Sequence, residues 1–211
     1  MTEADDTGRK LPREFYLRDA RTVARELLGQ ELVHVSSEGV ASGFIVETEA
    51  YLGVVDRASH AFGDRRSRRT AVMYEEGGRA YIYLIYGMYW CLNFTVQGVG
   101  TPEAVLIRAL QPVTGIDLMA KRRNSDGKRP ADLANGPGKL CRALGIDGSL
   151  YGEDLCGNVL FVRQRPLVSP GEIAVVRRVN VDYAGEDAHR EWRFYLKGNP
   201  CVSRPVGLAG Q

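Results

Sequence analysis

Two glutamates, Glu47 and Glu49, stand two residues apart within the predicted strand 43–51. Side chains at this spacing project from the same face of a strand, so one face carries two carboxylates. Glutamate is disfavoured in strands, and the apolar neighbours Phe44 and Ile45 indicate a sheet edge or a site rather than a uniformly buried strand. A partly buried glutamate held near a water can act as a general base. The alternative is a solvated carboxylate at a sheet edge, which performs no chemistry.

Tyrosines are concentrated in one short segment beside Trp90: Tyr81, Tyr83, Tyr86 and Tyr89. Alternation along a strand places Tyr81 and Tyr83 on one face, and Gly87 can present Tyr86 at the tip of a turn. Aromatic rings stack well on nucleobases, and a protruding ring can occupy a gap in a base stack. The alternative is that these rings fill the protein core.

Positive charge is concentrated in two segments. Residues 57–69 hold five Arg and one Asp, and residues 121–129 hold five Lys or Arg and one Asp, so each segment carries +4. The whole chain carries only +2, and the remaining residues therefore sum to −6. A protein that binds a polyanion needs such polarisation, although two solvated loops would give the same pattern.

A glycine-rich turn, GPGKL at residues 136–140, opens a predicted helix. Free N–H groups at a helix start, together with Lys139, could bind a phosphate. The turn lacks the Walker spacing and hydroxyl, and helix entry alone also explains it.

The four cysteines and three histidines are scattered along the chain. No CxxC, HxxxH or HExxH spacing is present, so the sequence predicts reduced structural thiols, no metal site and no cofactor.

The elements that must position these residues follow from β-branched and aromatic runs and from caps. Asp19 can cap a helix with the apolar stripe Val23, Ala24, Leu27 and Leu28. Further helices are predicted at 114–123 and 138–144. Strands are predicted at 31–35, 43–51, 79–87, 90–97, 104–110, 158–163, 172–179 and 192–197.

This order of elements predicts a single α+β domain, with a curved mixed, largely antiparallel β-sheet surrounded by helices. We expect the domain to span 14–204, between flexible tails at 1–13 and 205–211. The sequence shows no secretory signal and no apolar run of membrane-spanning length, so we expect a cytoplasmic protein, nucleoid-associated if bacterial.

The order of the motifs is more specific than any one of them. The segments VETEAYLG, YIYLIYGMYWCLN, VLIRAL, GPGKLCRALGI, RVNVDYAGE and RFYLKGNPCVS occur in this sequence, with His60 eleven residues after Glu49. Across about residues 15–204 the chain resembles the alkyladenine (3-methyladenine) DNA glycosylase family.

The resemblance implies a role for each matching position. Glu49 would be the general base that activates water, and Arg108 and the Val179 carbonyl would help to hold that water. The walls of the base pocket would be Tyr51, His60, Tyr83, Asn93 and Leu106, with Asn93 crowding the 2-amino group of guanine. Tyr86 would fill the space left by the flipped nucleotide. The expected contacts to the DNA backbone are Arg57, Arg65, Arg66, Arg68, Arg69, Lys121, Arg122, Arg123 and Lys139.

Two features depart from the family pattern. The segment GVGTPE, between Gln97 and Ala104, is longer than in vertebrate members, and Asn180 stands where the family usually has Gly. Either could alter DNA contacts or the placement of the water.

The resemblance implies a monomeric, monofunctional enzyme of base excision repair that needs no cofactor. It would flip and hydrolyse alkylated or deaminated purines out of double-stranded DNA: 3-methyladenine, 7-methylguanine, hypoxanthine and ethenoadenine. Two alternatives remain open. One is a module that binds damaged DNA without efficient catalysis, and the other is a carbohydrate glycosidase that uses Glu47 and Glu49 as a pair.

Overall fold

A curled antiparallel sheet forms the frame of the protein. The structure is a computed structural model that describes residues 8–125 and 129–204. The strands in these residues are β1 Glu31–Ser36, β2 Gly39–Tyr51, β3 Ala80–Ile85, β4 Tyr89–Val96, β5 Glu103–Thr114, β6 Leu160–Arg163, β7 Ile173–Val176 and β8 Arg193–Leu196. They pair in the order β3-β4-β5-β2-β1-β6, and β8 pairs with both β2 and β7.

The sequence-based α+β prediction is confirmed. Each predicted strand is present, and the pairings between the described strands are antiparallel, so the sheet is not mixed. The strand β2 is long enough to pair β1 through its first half and β8 through its second. Its pairing with β5 shifts register around Glu47, and such a bulge bends a strand and increases its twist.

Four α-helices flank the sheet in the described residues: α1 Arg13–Tyr16, α2 Ala20–Glu26, α3 Ile116–Arg123 and α4 Pro137–Leu144. Asp19 caps α2 as predicted, because its carboxylate accepts hydrogen bonds from the backbone N–H groups of Arg21 and Thr22. The four residues of the predicted apolar stripe are fully buried, although Leu27 and Leu28 lie just past the end of α2. The start predicted for α3 was early, because Thr114 still belongs to β5 and Gly115 turns with a φ of 71°.

The two faces of the sheet have different contents. The face toward α2 and α4 carries the main apolar core, including Ile45, Leu92, Phe94 and Ile107. Because side chains alternate along each strand, the intervening residues of β3, β4 and β5 project from the other face, and the bulge between Ile45 and Glu47 brings Glu47 and Glu49 of β2 to that face as well. These residues are Glu47 and Glu49 on β2, Tyr81 and Tyr83 on β3, Cys91 and Asn93 on β4, and Leu106 and Arg108 on β5. The fold therefore gathers the predicted site residues of these four strands on the face opposite the main apolar core.

Part of the segment predicted as an N-terminal tail contacts the domain in the structure. Leu11 is buried and its N–H donates to the carbonyl of Val162, while Lys10 forms a β-bridge with Arg163. One apolar side chain with a place in the core is enough to fix this segment to the domain. The rest of the predicted tails, residues 1–7 and 205–211, lies outside the described residues. Within the described part of the chain, no helix is long and apolar enough to span a membrane.

Candidate active site

Glu49 lies in the centre of the polar face of the sheet, opposite Leu106 of β5. Its side chain has no exposed surface, and three donors surround its carboxylate. The Val179 N–H donates to Oε1 at 2.8 Å, the Tyr51 hydroxyl donates to Oε2 at 2.7 Å, and Arg108 Nη1 lies 3.3 Å from Oε1. Each of these three residues also lines a cleft above the carboxylate. The geometry fixes both oxygens of Glu49 directly behind three residues that line that cleft.

Glu47 is equally buried but has a different environment. Its oxygens accept hydrogen bonds from Arg108 Nε at 2.7 Å, from Arg193 Nη1 at 3.0 Å and from Ser203 N–H and Oγ at 2.7 and 3.0 Å. Burial by itself would raise the pKa of Glu47, but the charge and hydrogen bond of Arg108, together with Ser203, lower it. With four donors and no exposed surface, Glu47 holds Arg108 in place. This arrangement does not support a glycosidase that uses the two glutamates as a pair.

Arg108 bridges the two carboxylates. It lies against Glu47 on one side and Glu49 on the other, and Nη2 donates to Ser203 Oγ at 3.3 Å. Burial would lower the pKa of Arg108, but Glu49 and Glu47 raise it, so the guanidinium stays charged. The structure brings Arg108 to Glu49 as the sequence implied, and its contact with a water stays a prediction.

Val179 contacts Glu49 through its backbone N–H. The contact of the Val179 carbonyl with a water stays a prediction. The next residue, Asn180, has a φ of 58°. This left-handed conformation is natural for Gly and more tolerable for Asn than for most other residues, because the short side chain clashes little. The side chain of Asn180 accepts a 3.4 Å hydrogen bond from Arg204. Asn180, at the position where the resemblance expects Gly, thus has a backbone conformation that Gly would also adopt readily.

A cleft of about 930 Å³ opens above these residues. Aromatic rings form one of its walls: His60 meets Tyr83 edge-on, with ring centroids 4.7 Å apart, and Tyr81 lies 5.5 Å from Tyr83. Tyr51 also lines the cleft. The structure therefore gathers the predicted pocket walls and adds Tyr81, which the alternation of β3 had placed on the same face as Tyr83.

His60 has a defined tautomer. Its Nε2 lies 3.2 Å from Arg69 Nη2 and its Nδ1 lies 2.7 Å from the Tyr81 hydroxyl. A guanidinium only donates, so Nε2 accepts and the proton is on Nδ1. Burial, with the charges of Arg69 and Arg65, lowers the pKa of His60 to about 4. The imidazole is therefore neutral at neutral pH.

Three phenols of the cleft, those of Tyr51, Tyr81 and Tyr83, are also neutral. Burial, followed by the charge of Glu49, raises the pKa of Tyr51 well above its usual value, and burial likewise raises the pKa of Tyr83. Burial raises the pKa of Tyr81 to about 12. Neutral electron-rich rings of this kind attract cations over their faces, and Arg69 already lies 4.6 Å above the centre of the Tyr83 ring.

Asn93 and Leu106 are neighbours across β4 and β5, and Leu106 in turn faces Glu49 across β5 and β2. Both line the cleft and are almost fully buried. Asn93 Nδ2 donates to the carbonyl of Tyr81 at 3.2 Å, which fixes the orientation of the amide. Both predicted pocket residues therefore lie beside the carboxylate.

Tyr86 stands at the tip of the β3–β4 hairpin, as its sequence context predicted. Its side chain is 75% exposed and it borders the cleft. Tyr86 and Gly87 both have positive φ, 53° and 68°, which turns the hairpin within three residues. A large aromatic ring so exposed at a cleft is available for contact with a partner.

The cleft lining contains five cationic side chains and no carboxylate within the described residues. The cations are Arg69, Arg108, Arg123, Lys139 and Arg204. Arg57, Arg65, Arg66 and Arg68 are exposed on the loop that leads from β2 to β3, and Lys121 is exposed on α3. A lining with this charge favours a polyanion.

Arg122 is the exception among the predicted DNA contacts. Its guanidinium donates to Glu38 at 2.9 Å, to Ser36 Oγ at 2.9 Å and to the carbonyl of Ala143 at 3.4 Å. These contacts join α3 to the β1–β2 turn and to α4. All three guanidinium nitrogens of Arg122 are thus engaged within the fold, and its contact with phosphate stays a prediction. Arg69 is exposed and also forms part of the pocket wall, so its contact with phosphate stays a prediction too.

Several cleft residues were missed from the sequence: Met73, Tyr183, Ser203 and Arg204. Tyr183 and Ser203 stand inside the family-like motifs RVNVDYAGE and RFYLKGNPCVS, so those motifs were the available signal. Met73 and Arg204 carry no local signal.

In the described ranges, no group of three or more His, Cys, Asp or Glu side chains is arranged to hold a metal ion.

Comparison with known proteins agrees with this geometry. Residues 14–200 match the family model described as methylpurine-DNA glycosylase (MPG). Proteins provisionally named 3-methyladenine DNA glycosylase in Desulfitobacterium hafniense (strain Y51) and Bacillus cereus (strain G9842) are each 47% identical to this chain over 201 residues, which is 92% of this chain and 98% of theirs. A relative with the same provisional name in Bacillus cytotoxicus is 45% identical over 203 residues, 92% of this chain and all of its own length. The chain belongs to the methylpurine-DNA glycosylase family.

Proposed function

We propose that this protein is a monofunctional DNA glycosylase that hydrolyses the N-glycosidic bond of damaged purines in duplex DNA. Its substrates would be 3-methyladenine, 7-methylguanine, hypoxanthine and ethenoadenine. One observation carries this proposal: the Glu49 carboxylate is held by three donors, and all three belong to residues that line an aromatic cleft whose charged side chains, among the described residues, are cationic. Family membership supports the same reaction class.

The chemistry follows from the charge that develops at the sugar. Departure of the base leaves an oxocarbenium-like C1′, which a nearby carboxylate stabilises. Glu49 accepts a proton from water as the water oxygen bonds to C1′ and the N-glycosidic bond breaks. The products are a free base and an abasic site. Arg108 keeps the carboxylate in position and offers a donor toward the water.

The cleft favours bases with particular electronic properties. Neutral Tyr51 and Tyr83 rings bind a positively charged alkylpurine through cation–π attraction. A neutral lesion such as hypoxanthine lacks that charge and needs protonation in order to leave. Asn93, held by the Tyr81 carbonyl, would crowd the 2-amino group of an undamaged guanine.

A base stacked in a duplex cannot reach Glu49, so the reaction requires flipping. Tyr86 would enter the gap left in the base stack. Phosphate contacts would come from the exposed residues Arg57, Arg65, Arg66, Arg68 and Lys121, and from Arg123 and Lys139 at the cleft. Such contacts position the duplex without selecting its sequence.

The described cleft lining contains a single lysine, Lys139, which donates to Asn135 Oδ1 at 2.7 Å. Water attack is therefore favoured over a Schiff base, because formation of a Schiff base needs an amine at C1′. We expect abasic sites that are cleaved only after treatment with alkali.

The test is incubation with duplexes that bear each lesion, followed by measurement of free base and of alkali-labile sites. Glu49→Gln removes the base with almost no change in shape, so the excision rate should fall by about 10²- to 10⁴-fold. The control Glu31→Gln alters a buried carboxylate outside the described cleft lining. Excision by Glu49→Gln above about a tenth of the wild-type rate would contradict the assignment.

A second candidate function is a module that binds damaged DNA without catalysis. The presence of Asn180 is an argument for this candidate, because a side chain next to Val179 could prevent the reacting water from binding. The left-handed turn at Asn180 counters that argument. Tight binding of lesion duplexes by the wild-type protein, without release of free base, would support this candidate and contradict the first.

A further inference from the structure

Behind the aromatic wall of the cleft, Asp56 and Arg178 form a buried ion pair that the proposed chemistry does not use. Arg178 Nη1 lies 2.6 Å from Asp56 Oδ2, and Nη2 lies 2.9 Å from Oδ1. The pair is bidentate, and neither side chain has any exposed surface. It is therefore sealed away from DNA and from water.

Asp56 organises the loop that carries two walls of the pocket. Its Oδ2 accepts a hydrogen bond from the Leu52 N–H at 3.1 Å, and its Oδ1 accepts one from the Ala58 N–H at 3.0 Å. These bonds clamp the chain between Tyr51 and His60. The Asp56 carboxylate thus fixes the conformation of the loop that connects Tyr51 to His60.

Arg178 binds the backbone of β2 and the backbone of the segment that contains Asp187. Nη1 donates to the carbonyl of Ala50 at 3.1 Å and Nη2 donates to the carbonyl of Asp187 at 3.2 Å. Its guanidinium also lies 4.8 Å from the centre of the Tyr51 ring and 4.9 Å from that of Trp192. Arg178 therefore supports the back of the Tyr51 ring and directly precedes Val179.

These contacts converge on the donors that hold Glu49. Tyr51 and Val179 each donate to a different oxygen of the carboxylate, and one ion pair fixes both donors. Stability is a weak reason for such a pair, because a well-packed apolar pair of similar size is often at least as stable. Arg178 Nε is also buried without a hydrogen-bond partner in the structure.

We propose that Asp56 and Arg178 are positioning residues for hydrolysis: they hold the Tyr51 hydroxyl and the Val179 N–H on Glu49. This inference rests on the proposed role of Glu49. A small displacement of either donor would turn the carboxylate away from the reacting water and sugar. Binding of DNA, which uses surface cations and Tyr86, would be unaffected.

The test measures chemistry and binding separately. Asp56→Asn keeps the shape of the side chain but removes its charge, and Arg178→Lys keeps the charge but removes the bidentate fork. With enzyme in excess over a hypoxanthine duplex, we expect the single-turnover excision rate of each variant to fall by about 10²-fold. Affinity for a duplex containing a tetrahydrofuran abasic analogue should match wild type.

Glu31→Gln is the matched control. Glu31 is a buried carboxylate on β1 that binds Arg165 at 2.7 Å, outside the described cleft lining. Like Asp56→Asn, this change removes the charge of a buried carboxylate that is paired with an arginine. We expect it to lower the melting temperature as Asp56→Asn does and to keep the wild-type excision rate.

Four outcomes contradict the inference. The first two are excision by Asp56→Asn at the wild-type rate, and a loss of its rate no greater than that of Glu31→Gln. The other two are an equal loss of excision rate and DNA affinity in Asp56→Asn and Arg178→Lys, and failure of both variants to fold.

The parallel variant Glu49→Gln separates this inference from the proposed function. If Glu49→Gln is active, the proposed role of Glu49 is wrong. If Glu49→Gln is inactive while Asp56→Asn excises normally, only the positioning role is wrong.

Discussion

Individual residues of this protein owe their chemical state to a few close neighbours. His60 is the clearest case, because Arg69 and the Tyr81 hydroxyl fix its tautomer and burial keeps it neutral. A neutral imidazole can accept and donate one hydrogen bond each, whereas a charged one could not accept the Arg69 donor. The pocket wall therefore depends on the protonation state of one side chain.

The stability of the protein should depend on pH through His60. Folding lowers the pKa of His60 from 6.5 to about 4, so the folded state favours the neutral form. The stability that this residue contributes is present above pH 6.5 and is lost as the pH falls from 6.5 toward 4. Urea unfolding of wild type and His60→Gln across this window measures the effect, and other titrating groups cancel in the difference. A difference that is constant with pH would contradict the prediction.

Asn180 should be replaceable by Gly but not by a β-branched residue. Its φ of 58° strains most side chains, and a strained left-handed residue costs about 1–3 kcal/mol. We expect Asn180→Val to lower the free energy of unfolding by about that amount and to slow excision, because Val179 moves with it. Asn180→Gly should keep both properties near wild type. Equal stability of the two variants would show that the turn is not strained.

At the scale of elements, the β3–β4 hairpin performs two tasks with one short segment. Its strands place Tyr81 and Tyr83 in the pocket wall, while its tip leaves Tyr86 exposed beside the cleft. Strand alternation and a three-residue turn explain both placements. The same turn that ends the pairing therefore provides the proposed wedge.

Tyr86→Ser should weaken binding of lesion duplexes and spare the fold. Loss of one stacked ring costs about 1–3 kcal/mol of binding free energy. The melting temperature should hardly change, since the ring is exposed, whereas Tyr16→Ser in the core should lower it strongly through a cavity. Affinity for a hypoxanthine duplex and 2-aminopurine fluorescence beside the lesion are the measurements. Met88→Ser, at an exposed neighbour on the same tip, is the control; an equal effect of both variants would remove the special role of Tyr86.

Over the whole molecule, positive charge is concentrated at the cleft and the adjoining loop, although the net charge is small. The net charge is only +2, yet the described lining of the cleft has no carboxylate and the adjoining loop is rich in exposed arginine. Long-range attraction to DNA depends on this local field. It should therefore respond to salt even though the chain is nearly neutral.

Reversal of two loop charges, Arg65→Glu with Arg66→Glu, should weaken binding to damaged and undamaged duplexes alike. Loss of two phosphate contacts would flatten the slope of log affinity against log salt by about 2. The control reverses Arg21 and Arg25, which are exposed on α2 at the opposite face of the sheet. If only binding to damaged duplexes suffers, these arginines recognise the lesion and do not position the duplex.

The sequence by itself determined the strands, the helix caps, the exposed tip at Tyr86 and the face shared by Glu47 and Glu49, because each depends on residues close together in the chain. The resemblance to a family added Glu49 and the pocket walls. Only the tertiary structure decided that Glu47 anchors Arg108, that Arg122 belongs to the fold and that Asp56 pairs with Arg178. These facts depend on partners 61, 84 and 122 positions apart. Local periodicity assigns a side chain to a face, but its partner is set by the order of strands and the packing of loops.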